Sequence, residues 1–146
     1  MPTAAKLAAA VLFGALAWWA SQLVRPAFPA GTDLGRFAAV NALVGVVAGW
    51  RIAGPRAPAG WVAALSYGLT TAVAMTLAAL VVHSVARMIR QSLRRLYEGP
   101  VEAVAAVFGI MADNLQFLAP AAVWGTLLVG GALAGLATEW VGRTFR

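Results

Sequence analysis

The sequence predicts an all-α integral membrane protein: a four-helix bundle, with an extra basic amphipathic helix and a surface or fold-back helix between spans three and four. Three observations carry that prediction. Four stretches, Leu7–Val24, Phe37–Trp50 (running on to about residue 53), Trp61–Ala86 and Ala121–Val141, are long and nearly free of charge. A hydrocarbon core about 30 Å thick takes roughly 20 residues of helix, and a helix satisfies its own backbone where no water can. Of the 146 residues, 62% are hydrophobic and 11% charged, with a mean hydropathy of +0.81, which describes one membrane domain, 1–146, with no room for a separate soluble catalytic domain. Tryptophans stand where the stretches end, Trp50 and Trp61 on either side of one connection and Trp124 and Trp140 around the last span, as expected of indoles at the headgroup boundary.

The first span follows Lys6 and is longer than the roughly 7–15 apolar residues of a secretory signal, so it reads as a retained helix. Pro26, Pro29 and Gly31 turn the chain, and Thr32 or Asp33 is placed to cap the second span. The second connection, Arg51 to Gly60, contains Gly54-Pro55 and Pro58. Nothing breaks the third helix between Trp61 and Tyr97, a length that exceeds the membrane by several turns, so its end must project or bend. There Val85, Met88, Ile89, Leu93 and Leu96 fall on one side and Arg87, Arg90, Arg94 and Arg95 mostly on the other, a basic amphipathic helix. Gly99-Pro100 stops it. The next segment has an apolar stripe of Val101, Val104, Val107, Phe108, Met111, Leu115 and Leu118, interrupted by Glu102, Asp113, Asn114 and Gln116. It either lies flat in the headgroup region or folds back so that its stripe covers the basic helix, which would bring Glu98 and Glu102 near Arg94 and Arg95. The amphipathic region is thus 87–118, and Pro120 suits the first turn of the last span.

A net charge of +6 raises the question of nucleic acid, but the basic residues sit at span ends and in short loops, where phospholipid headgroups are the nearer anions; no nucleic-acid partner is expected. With no cysteine there is no disulfide, thiolate metal site or thiol redox centre. His83 is the only histidine, too few for a bis-histidine haem or a usual His and carboxylate metal site within one chain. No glycine-rich phosphate loop, Ser-His-Asp set or paired carboxylates appears, so no catalytic, cofactor-binding or metal residues are assigned and no enzyme activity is expected. Four arginines within nine residues weigh towards a cytoplasmic basic helix with both termini outside.

Two sets of residues remain as candidates. Arg87, Arg90, Arg94 and Arg95 suit lipid headgroups, an acidic protein surface or a small oxyanion, because guanidinium forks fit all three. Gly45 and Gly49, Ala64 and Gly68, and Gly131 and Gly135 place small residues four apart, letting helices approach closely within the bundle, in a homo-oligomer or against a larger membrane complex. Asn41, Ser66, Thr70, Thr71 and Thr76 read as hydrogen-bonding glue between helices.

Several strings carry more than their physics: MPTAAKLAAA at the start, GTDLGRF (Gly31–Phe37), VNALVGVVAGWRIAGPRA (Val40–Ala57), LRRLYEGPVEAVAAVFGI (Leu93–Ile110) and TLLVGGALAGLATEW (Thr126–Trp140). In this order, and over nearly the whole chain, they resemble the TrgA family of small bacterial membrane proteins, named for an association with tellurite resistance. The chain departs from the family pattern at Gly109 and Tyr67, where an acidic residue and an Asn are usual. The resemblance implies a multi-pass protein of the bacterial inner membrane that contributes to survival on a tellurium oxyanion, and it brings no catalytic or ligand residues. Three roles follow as expectations: an accessory or envelope-supporting protein, an oligomeric oxyanion permease or exporter recruiting its anion through Arg87–Arg95, and, least supported, a redox module.

Overall fold

The computed structural model describes residues 3–94 and 97–145, and the described residues are helical nearly throughout, with no strand. Five helices follow one another: α1 (Ala4–Val24), α2 (Phe37–Ala48), α3 (Trp61–Leu93), α4 (Pro100–Leu115) and α5 (Ala121–Thr144). All five, α2 and α4 with their short helical extensions, are long and apolar enough to cross a membrane, the character of a multi-pass membrane protein. Outward-facing side chains such as Val11, Leu43, Val62, Val129 and Leu133 are exposed on the bundle surface, as lipid-facing positions require.

Local chemistry sets the boundaries, and in three places moves them from the sequence expectation: α3 ends at Leu93, with Arg94 as its C-cap, before the Tyr97 to which the sequence carries it, and the start of α1 and the end of α2 shift as follows. Thr3 caps α1 by accepting from the Lys6 N–H at 3.3 Å, so the helix starts three residues before Leu7. α2 does not end at Trp50. It widens into a π turn, Gly49–Ala53, then tightens into a 3-10 turn, Gly54–Arg56, so Gly54-Pro55 lies within the helical run. Pro55 is tolerated because it stands in the first turn of the 3-10 segment, where its missing N–H costs nothing. The true break is Ala57–Gly60, with a cis Ala57-Pro58 bond and Gly60 at φ +105°, a left-handed conformation that glycine adopts without penalty. Thr32 and Asp33 do not cap α2, whose N-cap is Arg36. They fold the preceding turn instead, Thr32 donating to the Pro29 carbonyl at 2.8 Å and Asp33 accepting from the Gly35 N–H at 2.9 Å.

Small residues dictate which helices touch. A Cβ on Gly45 of α2, or on Gly49 in the π turn that continues it, would collide with the carbonyl of Phe13 or Ala9 on α1, so these two helices meet backbone to backbone. The same holds between α3 and α5: a Cβ on Gly68 would strike the Gly131 carbonyl, and one on Gly135 the Ala64 carbonyl. α1 also packs on α5, closing a core around Ala9, Phe13, Ala72, Val123 and Leu127.

α3 runs unbroken for 33 residues and is covered by two partners in succession. Over its first half it pairs with α5, with Ala64 opposite Gly135 and Gly68 opposite Gly131. Beyond that, the chain reverses after Leu93 and α4 comes back along the second half, with Asn114 donating to the Ser84 hydroxyl at 3.2 Å. α4 is therefore folded back on α3, with its inner face turned partway round from the stripe read in the sequence, so that only Val107, Met111 and Leu118 of that stripe are half-buried. Ile110 is buried, with Val107, Met111, Asn114 and Phe117 half-buried around it, whereas Val101, Val104, Phe108 and Leu115 are exposed. The helix is apolar almost all round, so periodicity alone could not choose its inner face; the buried Ser84 and its bond to Asn114 do. The expected pairing of Glu98 and Glu102 with Arg94 is not made among the described residues. Glu102 instead accepts from the backbone N–H of Glu98 at 2.7 Å, and Arg95 lies outside the described residues.

Candidate functional site

Where α5 begins and α3 runs on past it alongside α4, the helices part around a cleft of about 1200 Å³. Three walls meet there: the C-terminal end of α1, the connection from Phe28 to Arg36 with the start of α2, and the second half of α3 with the end of α4. Ala17, Ala20 and Ala79 make the space, since each leaves room that a larger side chain would fill. Met75, Leu80 and Leu127 complete an apolar floor.

Above the floor lies a polar layer made by residues from three helices. The hydroxyl of Ser21, fully buried, donates to the Ala17 carbonyl at 2.7 Å and accepts from the Asn41 amide at 2.9 Å. The Asn41 carbonyl oxygen then meets His83 Nε2 at 2.7 Å, so that nitrogen carries the proton. Each group thus has a partner of the opposite sense, and the chain of three bonds ties α1, α2 and α3 together at one level. His83 also lies 4.7 Å, centre to centre, from the ring of Phe37. Phe37 meets Phe28 edge to face at 5.5 Å, and Phe28 stacks on Phe117 at 4.3 Å and 16°. This aromatic row fastens the α1–α2 connection to the end of α4.

The mouth is basic. Arg87 and Arg90 on α3 and Arg94 at its C-cap, three and four residues apart, line the cleft together, one to three turns beyond His83, and Arg36 joins them from the α1–α2 connection. Asp33 and Asp113 also line it, which leaves the mouth positive, four guanidinium groups against two carboxylates. All four arginines are exposed.

Three of the four arginines singled out in the sequence are therefore gathered at one site, and the fourth, Arg95, is outside the described residues. Arg36, Asn41 and His83 were not assigned to it. A usable signal existed: Ser21, Asn41 and His83 each lie within a turn or two of the same end of their predicted spans, so they share a level. The six small residues lie elsewhere, in the α1–α2 and α3–α5 contacts described above.

A second polar constellation stands at the opposite end. Glu139, on α5 and almost fully buried, accepts from the Ala59 and Gly60 N–H groups, both at 2.8 Å, and from Arg143 Nε at 2.8 Å. Arg143 in turn lies over the Trp61 ring at 4.9 Å. With all its partners supplied by the fold, this carboxylate is a clamp on the turn before α3. Among the described residues no three His, Asp or Glu side chains gather as metal ligands would. Comparison of the chain with protein-family models, with curated proteins and with solved structures finds no match.

Proposed function

We propose that the chain is a non-enzymatic, four-span protein of the bacterial inner membrane that contributes to tellurite resistance as an accessory, interaction or envelope-supporting protein. The spans are α1, α2, the first half of α3, and α5. Trp61 to Leu80 at about 1.5 Å per residue already measures about 30 Å, so the rest of α3, with α4 folded against it, stands beyond the hydrocarbon. The exposed rings of Trp61 and Trp140 mark one edge, and those of Trp18, Trp19 and Trp124 the other.

The observation that carries this reading is the convergence of Arg36, Arg87, Arg90 and Arg94 on one mouth above an apolar floor. Such a surface binds; its hydrogen-bonded Ser21–Asn41–His83 layer supports the walls rather than presenting a nucleophile and base to a substrate. Its partners are anionic headgroups, and a homo-oligomer or larger membrane complex engaged at the same basic end. Resistance itself rests on the resemblance to the TrgA family. The test is tellurite survival of a deletion strain, complemented by the intact gene or by one in which Arg87, Arg90, Arg94 and Arg95 are all glutamine, with membrane levels matched. Sensitisation by deletion, with rescue by the intact gene alone, is expected; normal survival of the deletion strain would remove the resistance role.

The same convergence of guanidinium groups favours a second reading, an oligomeric oxyanion permease or exporter recruiting its anion at this mouth. A path through one chain would have to open past Phe13, Ala72 and Thr71, which are buried beneath the floor, so the conduit would lie between copies. Tellurite flux into proteoliposomes, lost in the arginine variant, is what this reading requires.

A further inference from the structure

We infer that the cleft is a binding site for a single anionic amphiphile, its phosphate-type headgroup held by Arg36, Arg87 and Arg90 and an alkyl chain laid along the floor of Ala20, Met75 and Leu127. The inference deepens the proposed binding role and does not depend on tellurite resistance. It rests on the mismatch between the two levels of one cavity. Four guanidinium groups at the mouth call for an anion able to accept several charge-assisted hydrogen bonds, as a phosphate does. The floor, where Met75 lies more than three turns of α3 before Arg87, offers no charge, and its Ala20, Met75 and Leu127 side chains are apolar. A bare oxyanion would fill a small part of about 1200 Å³ and leave the floor unused, and that volume exceeds the roughly 300–1000 Å³ of ordinary small-molecule sites. A purely apolar ligand would leave the arginines without a role. A molecule charged at one end and apolar at the other uses both levels.

The walls are also built to persist. Ser21, Asn41 and His83 pin α1, α2 and α3 at the height where floor gives way to mouth, and the Phe28–Phe117 stack holds the connection bearing Arg36 against the end of α4. Arg36 thus stems from a braced wall next to Phe37, so the backbone that carries it is set before binding while the exposed guanidinium groups close on the headgroup. Because the mouth lies at the membrane edge proposed above, a phospholipid can enter from its own leaflet with its headgroup at its usual depth.

The test is native mass spectrometry of the full-length protein in a mild detergent, with dioleoyl phosphatidylglycerol, dioleoyl phosphatidylcholine and inorganic phosphate as probes. One phosphatidylglycerol per chain is expected, with occupancy about tenfold above phosphatidylcholine, and about tenfold lower in R36Q/R87Q/R90Q, whose exposed side chains leave the core intact. R36K/R87K/R90K should recover part of the binding, because charge returns without the fork. The floor is tested by A79F and, separately, A20L, each expected to lower phosphatidylglycerol occupancy with the arginines unchanged, and each used only if its circular dichroism and elution match the parent. Equal binding of the two lipids, or no effect of the arginine changes, overturns the site. Displacement of phosphatidylglycerol by inorganic phosphate at equal concentration, or full binding in both folded floor variants, shows a free-anion site and overturns the amphiphile. Loss of lipid binding would leave the survival test of the deletion strain untouched, and a failed survival test would leave this site untouched.

Discussion

The two ends of this bundle are built on opposite rules. At the end where α3 begins, glycines on α2, α3 and α5 face carbonyls of neighbouring helices so closely that no Cβ fits, and Glu139 closes the remaining turn with three hydrogen bonds. At the other end Gly109 of α4 and Gly125 of α5 are exposed on the outer surface, where an added Cβ meets nothing within 4 Å. There the helices are held apart by polar and aromatic bridges that surround a cleft rather than fill it. In lipid, burying apolar side chains between helices gains little over facing the acyl chains, so association depends on close van der Waals contact and on hydrogen bonds. The closed end uses the first device and the open end the second. Holding the helices together and offering a site are thereby assigned to different halves of the same helices.

The comparison breaks most visibly at Gly68. Its missing Cβ lets α3 lie against the Gly131 carbonyl, and backbone, unlike a side-chain tip, cannot rotate away. Gly68→Ala should cost roughly 2–4 kcal/mol as overpacking, read as a lower midpoint in SDS unfolding from dodecylmaltoside micelles. Gly45→Ala and Gly49→Ala should behave alike, since each meets an α1 carbonyl. A wild-type midpoint for Gly68→Ala would mean that α3 and α5 are not zipped as described.

Next comes Glu139. Its replacement by Ala removes the acceptor of two backbone N–H groups in a partly exposed turn and the ion-pair partner of a half-exposed Arg143, a loss of about 1–3 kcal/mol in the same titration. Glu139→Gln should fall between, because the amide keeps one acceptor oxygen but sets an N–H donor against a donor. Equal effects of Ala and Gln would show that charge on Arg143, not the two backbone bonds, is what the carboxylate supplies.

How much of this contrast is legible in the sequence follows the same division. The closed end is written in small residues four apart, a pattern that survives without any knowledge of partners, though the choice between contacts within the chain and between chains is not in it. The arginines at 87, 90 and 94 are equally visible because helical spacing alone puts them together. Arg36 is not, since its place with them depends on how the α1–α2 connection folds around Phe28, a tertiary outcome. In the sequence Glu139 is only a charge near the end of the last span. Its partners are backbone groups some 80 positions earlier, and backbone donors leave no mark in a sequence. The fold-back of α4 is legible, but its inner face is only partly so: Val107, Met111 and Leu118 of the stripe turn inward while Ile110 and Asn114 take the places of Val104, Phe108 and Leu115, because the middle of the helix is apolar all round.

At the open end the bridges should be individually modest. Asn41→Ala removes the central member of the Ser21–Asn41–His83 chain and should cost about 1 kcal/mol, in keeping with the small net worth of side-chain hydrogen bonds between membrane helices. Asn41→Leu would separate bonding from bulk: if the apolar side chain of similar size restores stability but lowers lipid occupancy at the mouth, the layer sets the position of the walls more than their stability.

The smallest effect has the opposite sign and tests the contrast most directly. Gly125 lies in α5 with nothing within 4 Å of an added Cβ, so Gly125→Ala meets no steric penalty and gains the helix propensity that glycine lacks, about 0.5–1 kcal/mol of added stability. The same exchange at Gly131, one and two-thirds turns further along the same helix, should destabilise, because its Cβ would press on Ala72 and the Gly68 carbonyl. Two identical substitutions six residues apart should therefore move the unfolding midpoint in opposite directions. If both lower it, α5 is packed along its whole length and the open end is filled by another helix, most simply from a second copy of the chain; if both raise it, the α3–α5 contact is looser than its backbone distances require.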